Sequence, residues 1–230
     1  MIKVVCFDFF NTLAFFDPPR EDVYASIARE MGVNVDRESI ASALPDADNY
    51  WRKENFKSPI RQREEKDKIS AYIEYGTRIL KNAKTPVTPQ QVLNILGKAF
   101  SIGFRFISFE DALPALKKVK AKNLKTGLIS NVGQDIDSYC DELGFSPFLD
   151  FKVTSFEVGY DKPSPEIFEL ALKKAKAAPS ETIFIGDQYE QDVVGARSVG
   201  IFPVLLDRNN SSINRDCPVI HTLHEIDKFL

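Results

Sequence analysis

The segment Ile2–Phe7 is a short, mostly apolar run that stops at Asp8. A run of that length without polar alternation predicts a parallel strand buried on both faces. Asn11-Thr12 follows as turn chemistry. From Asp17 to Gly103 the pattern changes: strong β runs are missing, and helix formers and charges dominate. Apolar spacing there predicts helices over Arg20–Met31, Arg37–Leu44, Asp48–Glu54, Ile60–Lys81 and Pro89–Phe100. The last has a defined start, with Thr88 as N-cap, Pro89 at the first helical position and Gln91 placed to close a capping box.

Beyond Ser108 the chain alternates between helix and strand. Ser108 is positioned to cap a helix running through Lys120. Thr126–Ser130 reads as a second buried strand. A helix over Asp135–Leu143 stops at Gly144. Phe151–Ser155 is a strand, and Ser164-Pro165 opens a helix to about Ala175. Thr182–Ile185 is a strand, followed by a helix through Ser198. Phe202–Leu206 and Val219–Thr222 close the pattern. Alternation of this kind predicts a mostly parallel sheet covered on both faces. The expected architecture is an α/β, doubly wound core from residues 1–16 and 104–230, interrupted by an all-helical insertion at 17–103.

Composition narrows the function classes. The formal net charge of -3 provides no basic field for nucleic acid. The lysines at 117, 118, 120, 122 and 125 read as a solvated helix face. Cys6, Cys140 and Cys217 are far apart, with no CxxC pair, so neither a zinc ribbon nor a disulfide framework is expected. His221 and His224, with no third ligand in sight, do not make a zinc site. Scattered thiols, no signal-peptide pattern and no membrane-length apolar run lead us to expect a cytoplasmic location.

In doubly wound sheets ligands sit beyond the carboxyl ends of the strands. Asp8 follows the first predicted core strand. Ser130 and Asn131 follow the second, and a loop with Asp161 and Lys162 the third. Gly186-Asp187 follows the fourth, with Asp192 five residues on. Any one of these fits a plain loop or helix cap; together they fit phosphoryl transfer. A carboxylate can act as nucleophile and form an aspartyl-phosphate. Magnesium needs only one or two carboxylates, which Asp8 and Asp187 can supply. Ser130 can donate to a phosphate oxygen, and Lys162 can counter the charge.

The run from Phe7 to Leu13 (FDFFNTL) resembles the first motif of the haloacid dehalogenase superfamily. Leu128–Asn131 resembles its second motif, Lys162–Phe168 its third, and Gly186-Asp187 through Asp192 its fourth, all in family order. The resemblance implies a Rossmann-like core with a helical cap between the first two motifs. It implies a magnesium-dependent hydrolase of small phosphorylated metabolites. Asp8 would be nucleophile and metal ligand, the Phe10 carbonyl and Asp187 further ligands, and Asp192 in or near the metal shell. Asn131 and Arg52 are candidate substrate-binding residues.

The chain departs from the family's phosphatases at Phe10, where they carry a second aspartate that protonates the leaving group. Asp161, Glu190, a cap residue or metal-held water could carry the proton instead, or the leaving group could need none. The resemblance leaves two other readings open. Family 2-haloacid dehalogenases also lack that aspartate, commonly place Tyr there, and use an arginine that the segment Trp51-Arg52-Lys53 resembles. They need no metal, however, and replace the acid that this chain keeps as Asp187. A catalytically weak binding or regulatory member is the other. A signalling receiver domain shares the aspartate, hydroxyl and lysine but places its acid pair at the first strand.

Overall fold

Strand β1 (Val4–Phe7) is buried completely. Its side chains alternate between two apolar layers, as the period of a strand requires. Val5 and Phe7 join a cluster with Leu116, Val119, Leu128, Ile185 and Val204. Val4 and Cys6 join another with Ile129, Val153, Ile167, Phe168 and Phe184. A strand with a core on each side must be apolar at every position, which is why VVCF carries no alternation. The computed structural model describes residues 1–58, 60–131, 136–210 and 216–230, with backbone only at 52, 56 and 61.

The chain divides into two compact units, Met1–Phe15 with Phe106–Leu230, and Phe16–Arg105. The first is built on a six-stranded sheet of order β5-β4-β1-β6-β7-β8. Its strands are β4 (Lys125–Ser130), β5 (Phe151–Thr154), β6 (Thr182–Gly186), β7 (Phe202–Leu206) and β8 (Val219–Ile220), with β1 between β4 and β6. All pairings are parallel, with Phe7 level with Leu128 on one side and Ile185 on the other. Helices α5 (Ala112–Ala121), α6 (Ile136–Glu142), α7 (Ser155–Val158), α8 (Pro165–Ala175) and α9 (Gly195–Ser198) complete this unit. From β1 the chain builds outward through β4 to β5. From β6 it builds the other way, through β7 to β8. The switch in winding therefore lies between β1 and β6, the crevice where such sheets bind ligands.

The second unit holds α1 (Arg20–Glu30), α2 (Arg37–Lys57), α3 (Glu65–Ile79) and α4 (Pro89–Ile102) around Tyr24, Ile27, Ile40, Leu44, Ile79, Ile95 and Leu96. The capping box at Thr88 and Gln91 forms. Two expectations for this segment are corrected. Helices foreseen over Arg37–Leu44 and Asp48–Glu54 are one helix, α2, which runs through Pro45. Proline removes one backbone bond from a helix interior, and the buried face of Ile40, Ala43, Leu44 and Ala47 outweighs that loss. The helix foreseen over Ile60–Lys81 begins instead with a single 3-10 turn, Ile60–Gln62, and resumes as α3. Side chains satisfy the break: Asn55 Oδ1 accepts from the Ile60 amide at 3.1 Å, and Arg63 Nε donates to the Ser58 carbonyl at 3.2 Å.

Three further differences lie nearer the sheet ends. The short strands β2 (Ala14–Asp17) and β3 (Arg105–Ser108) pair with each other, so Ser108 ends a strand and does not cap a helix. Helix α5 starts after Asp111, whose carboxylate is engaged elsewhere. The helix after β6 opens as a π-helix over Tyr189–Val194 before α9. The foreseen helix start at Asp135 lies outside the described residues. Among the described residues no helix is long and apolar enough to cross a membrane.

Candidate active site

Asp8 sits one residue past β1, where its amide still donates to Ile185 O of β6 at 2.8 Å. Its carboxylate is buried. Lys162 Nζ donates to Asp8 Oδ1 at 2.6 Å and to Asp192 Oδ1 at 2.6 Å. Thr12 Oγ1 approaches Asp8 Oδ2 at 3.4 Å. Asp192 Oδ2 in turn accepts from the Gln188 amide at 2.9 Å. Residues from three parts of the sequence thus converge on one ammonium group.

The loop that brings Lys162 there is pinned by Asn131, just beyond β4. Asn131 Oδ1 accepts from the Lys162 amide at 2.8 Å, and its Nδ2 donates to the Lys162 carbonyl at 3.3 Å and to Gln191 Oε1 at 2.9 Å. Its amide group is spent on placing the lysine loop. Ser130, the last residue of β4, is buried beside this loop's anchor. Two glycines make room for the approach. A Cβ on Gly186 would stand 2.3 Å from Asp192 Oδ2, and one on Gly195 would stand 2.6 Å from the Phe168 ring. Real side chains do not tolerate such distances, so glycine there lets Asp192 and α9 close on the lysine loop.

Carboxylate oxygens of Asp8, Asp187 and Asp192 all lie within 4.8 Å of one another. Burial pushes the Asp8 carboxyl up to about 6, with Asp192 adding to the rise and Lys162 opposing it. Burial, then Asp8 and Asp192, drive Asp187 well above the usual carboxylate range. Burial works against the Lys162 ammonium, but Asp192 and Asp8 outweigh it and raise its pKa. Asp187 Oδ1 is buried with no hydrogen-bond partner among the described residues. An unpartnered buried carboxylate oxygen is costly. Three carboxylates and one ammonium leave two negative charges uncompensated, the charge of one divalent cation. Oxygen donors in this arrangement fit magnesium, a hard ion.

Phe10 follows in the turn after β1, partly buried, with its ring 6.2 Å from that of Phe106 in an edge arrangement. The side chain there is apolar and carries no exchangeable proton. Asn11 adopts a left-handed φ of 58° and closes the turn. The described backbone of Arg52 lies in α2, in the other unit, and its side chain lies outside the described residues.

Sequence reasoning missed three participants: Gln191, which holds Asn131, and the pair Arg208 and Asp111. Arg208 donates to the Asn11 and Thr12 carbonyls at 3.3 and 2.7 Å and to both oxygens of Asp111 at 2.9 and 2.8 Å. No motif flags these residues; only the fold brings position 208 beside position 11.

Residues 2–200 match the model of the haloacid dehalogenase-like hydrolase family. The chain belongs to that family. It is 28% identical, over all of its length and 92% of the other's, to haloacid dehalogenase-like hydrolase domain-containing protein 3 of Mus musculus. It is 27% identical to the glyceraldehyde 3-phosphate phosphatase of Methanothermobacter thermautotrophicus, over 94% of this chain and 90% of that one. Among solved structures, the 2-haloacid dehalogenase of Pseudomonas syringae pv. Tomato DC3000 superposes with a TM-score of 0.58 at 21% identity, covering 99% of this chain and 97% of that one. The last likeness is one of fold. The family is one of hydrolases, and its α/β fold houses both phosphatase and dehalogenase chemistry, so the site decides between them.

Proposed function

We propose that this hydrolase is a magnesium-dependent phosphatase of small phosphorylated metabolites, working through an aspartyl-phosphate on Asp8. The observation that carries the reading is Asp187, whose buried, unpartnered Oδ1 belongs to a carboxylate trio that needs a cation. A family dehalogenase needs no such acid. The phosphatase relative adds support at the level of substrate class.

Asp8, Asp187 and the Phe10 carbonyl would hold magnesium, with Asp192 beside them, and the ion would supply charge neutralisation for the transferring group. Asp8 attacks phosphorus; its new P–O bond forms as the ester P–O bond breaks, and the leaving oxygen departs with the electron pair. Lys162, held by Asp8 and Asp192, offsets charge on the transferring group, and Ser130 donates to a phosphate oxygen. Water then cleaves the aspartyl-phosphate, releasing phosphate and restoring Asp8. Phe10 can neither protonate the leaving oxygen nor activate that water, so substrates with good leaving groups suit the site best. Residues 17–103 would act as a helical cap that screens substrates. The buried thiols of Cys6 and Cys140 fit a reducing cytoplasm.

Phe10 favours one second reading, a dehalogenase-type reaction in which halide leaves without a proton. Phosphate release from phosphomonoesters, measured with magnesium and with chelator, separates the two. The expected result is metal-dependent release that Asp8→Asn abolishes. Halide release from 2-haloacids that needs no metal, with no phosphate release, would overturn the proposal.

A further inference from the structure

We infer that Arg208 is a positioning residue for Asp8, acting through the turn that follows β1. The inference rests on the metal site proposed above. Arg208 comes from the end of β7, yet its guanidinium spans the turn and the start of α5. Nε donates to the Asn11 carbonyl and Nη2 to the Thr12 carbonyl, while Nη1 and Nη2 grip the two oxygens of Asp111. Its flat face lies over the Phe109 ring, 3.8 Å from the centroid. The cation is therefore fixed on two sides before it touches the turn.

Asp111 is fixed in its turn. It is buried, and Thr222 Oγ1 and the Leu223 amide donate to it at 2.7 and 2.8 Å. Burial raises its carboxyl, but the bonds from Arg208, Thr222 and Leu223 hold it below the usual range, so the pair stays charged. A bidentate pair of this kind is directional as well as strong.

Arg208 grips the turn at its left-handed residue, Asn11, a conformation that asparagine tolerates better than most side-chain-bearing residues. Thr12, whose carbonyl Arg208 holds, is the residue whose hydroxyl faces Asp8 Oδ2 at 3.4 Å. Arg208 thus reaches Asp8 through one backbone carbonyl and one hydroxyl. Asp8 Oδ1 is held by Lys162, so the Thr12 side fixes the remaining rotation of the carboxylate. Lysine cannot substitute, because an ammonium has neither the planar fork nor the stacking face.

The test is Mn²⁺ binding, followed by calorimetry and by the ion's spin-resonance signal, in Arg208→Lys and Arg208→Met. Thermal midpoints with chelator are measured alongside. Residues that orient metal ligands typically change affinity by about 10–100-fold. Both variants are expected to weaken Mn²⁺ in that range at temperatures where they remain folded. Thr12→Val is expected to weaken it too, and its effect combined with Arg208→Lys should be less than multiplicative. Lowered midpoints with unchanged Mn²⁺ affinity would reduce Arg208 to a structural residue and overturn the inference. Fully multiplicative losses would overturn the route through Thr12. A parent protein that binds no Mn²⁺ would instead remove the metal reading itself.

Discussion

Asp187→Asn, which keeps the shape of the side chain and removes its charge, is expected to stabilise the metal-free protein and to abolish its response to magnesium. The facing oxygens of Asp8, Asp187 and Asp192 lie within 4.8 Å of one another. Two like charges at that distance repel by roughly 3.5 kcal/mol at an effective dielectric of about 20. Asp187 takes part in two such pairs, so its charge opposes folding by about 7 kcal/mol or more before any relief. Relief comes from the Lys162 ammonium, which opposes the rise of the Asp187 carboxyl. A net cost of about 1–3 kcal/mol remains, the scale for a buried group left unsatisfied. At about 2–4 °C per kcal/mol for a chain of this size, the variant should melt roughly 2–12 °C higher in chelator. Excess magnesium reverses the order. A ligand at a hundred times its dissociation constant stabilises the parent by about 2.7 kcal/mol, and the variant lacks the ligand that earns this gain. The assay is thermal unfolding followed by circular dichroism, with chelator and then with magnesium. A variant that melts below the parent in chelator, or that gains as much from magnesium, would refute the reasoning.

Two more expectations concern pH and the turn after β1. In chelator, stability should peak at about pH 4, near the unfolded carboxylate value. The Asp8 carboxyl, raised from 3.8 to about 6, contributes stability that is whole below its unfolded pKa and lost as pH rises through 6. The depressed Asp111 contributes stability that is present above its unfolded pKa and lost in acid. Melting curves across the range should show the peak, and a flat profile counts against the carboxylate cluster. Phe10→Asp should raise turnover of alkyl phosphates by about 10²-fold, the lower range for a general acid, and that of aryl phosphates far less. An equal rise for both would show that the proton is supplied elsewhere.

How much of this was legible in advance depended on the range of the interactions involved. VVCF, TGLIS and TIFIG are buried on both faces, so their composition alone marks them as strands, and the polar residues after them mark the site. The Thr88 capping box is local and was equally plain. Two helices are expected where α2 is one, because local apolar spacing weighs each stretch separately, whereas the packing of Ile40, Leu44 and Ala47 acts on the whole helix through Pro45. The strands β2 and β3 are four residues each and pair across the entire helical segment, which no local pattern reveals. Gly186 was visible as a letter of a motif, but its reason, the Asp192 carboxylate against its Cα, needed coordinates. Arg208 meets Asn11 across 197 positions of sequence and carries no motif at all. Asn131 is expected as a substrate contact; that its side-chain amide also holds the lysine loop is visible only in the fold.

The place of β1 in the middle of the sheet has a consequence for synthesis. Phe7 pairs with Leu128 on one side and with Ile185 on the other, so neither flank of the strand that carries Asp8 exists when it leaves the ribosome. At about 5–20 residues per second, its second partner follows roughly ten to forty seconds later. Through that interval a fully apolar strand is exposed with both edges open, the condition under which nascent chains pair wrongly or recruit chaperones. The intervening helices of the second unit have a hydrophobic core of their own, made entirely of residues synthesised during the wait. The six-stranded sheet can close only after β6 is made, so a ribosome that stalls before Ile185 leaves Asp8 on a strand with one flank still open.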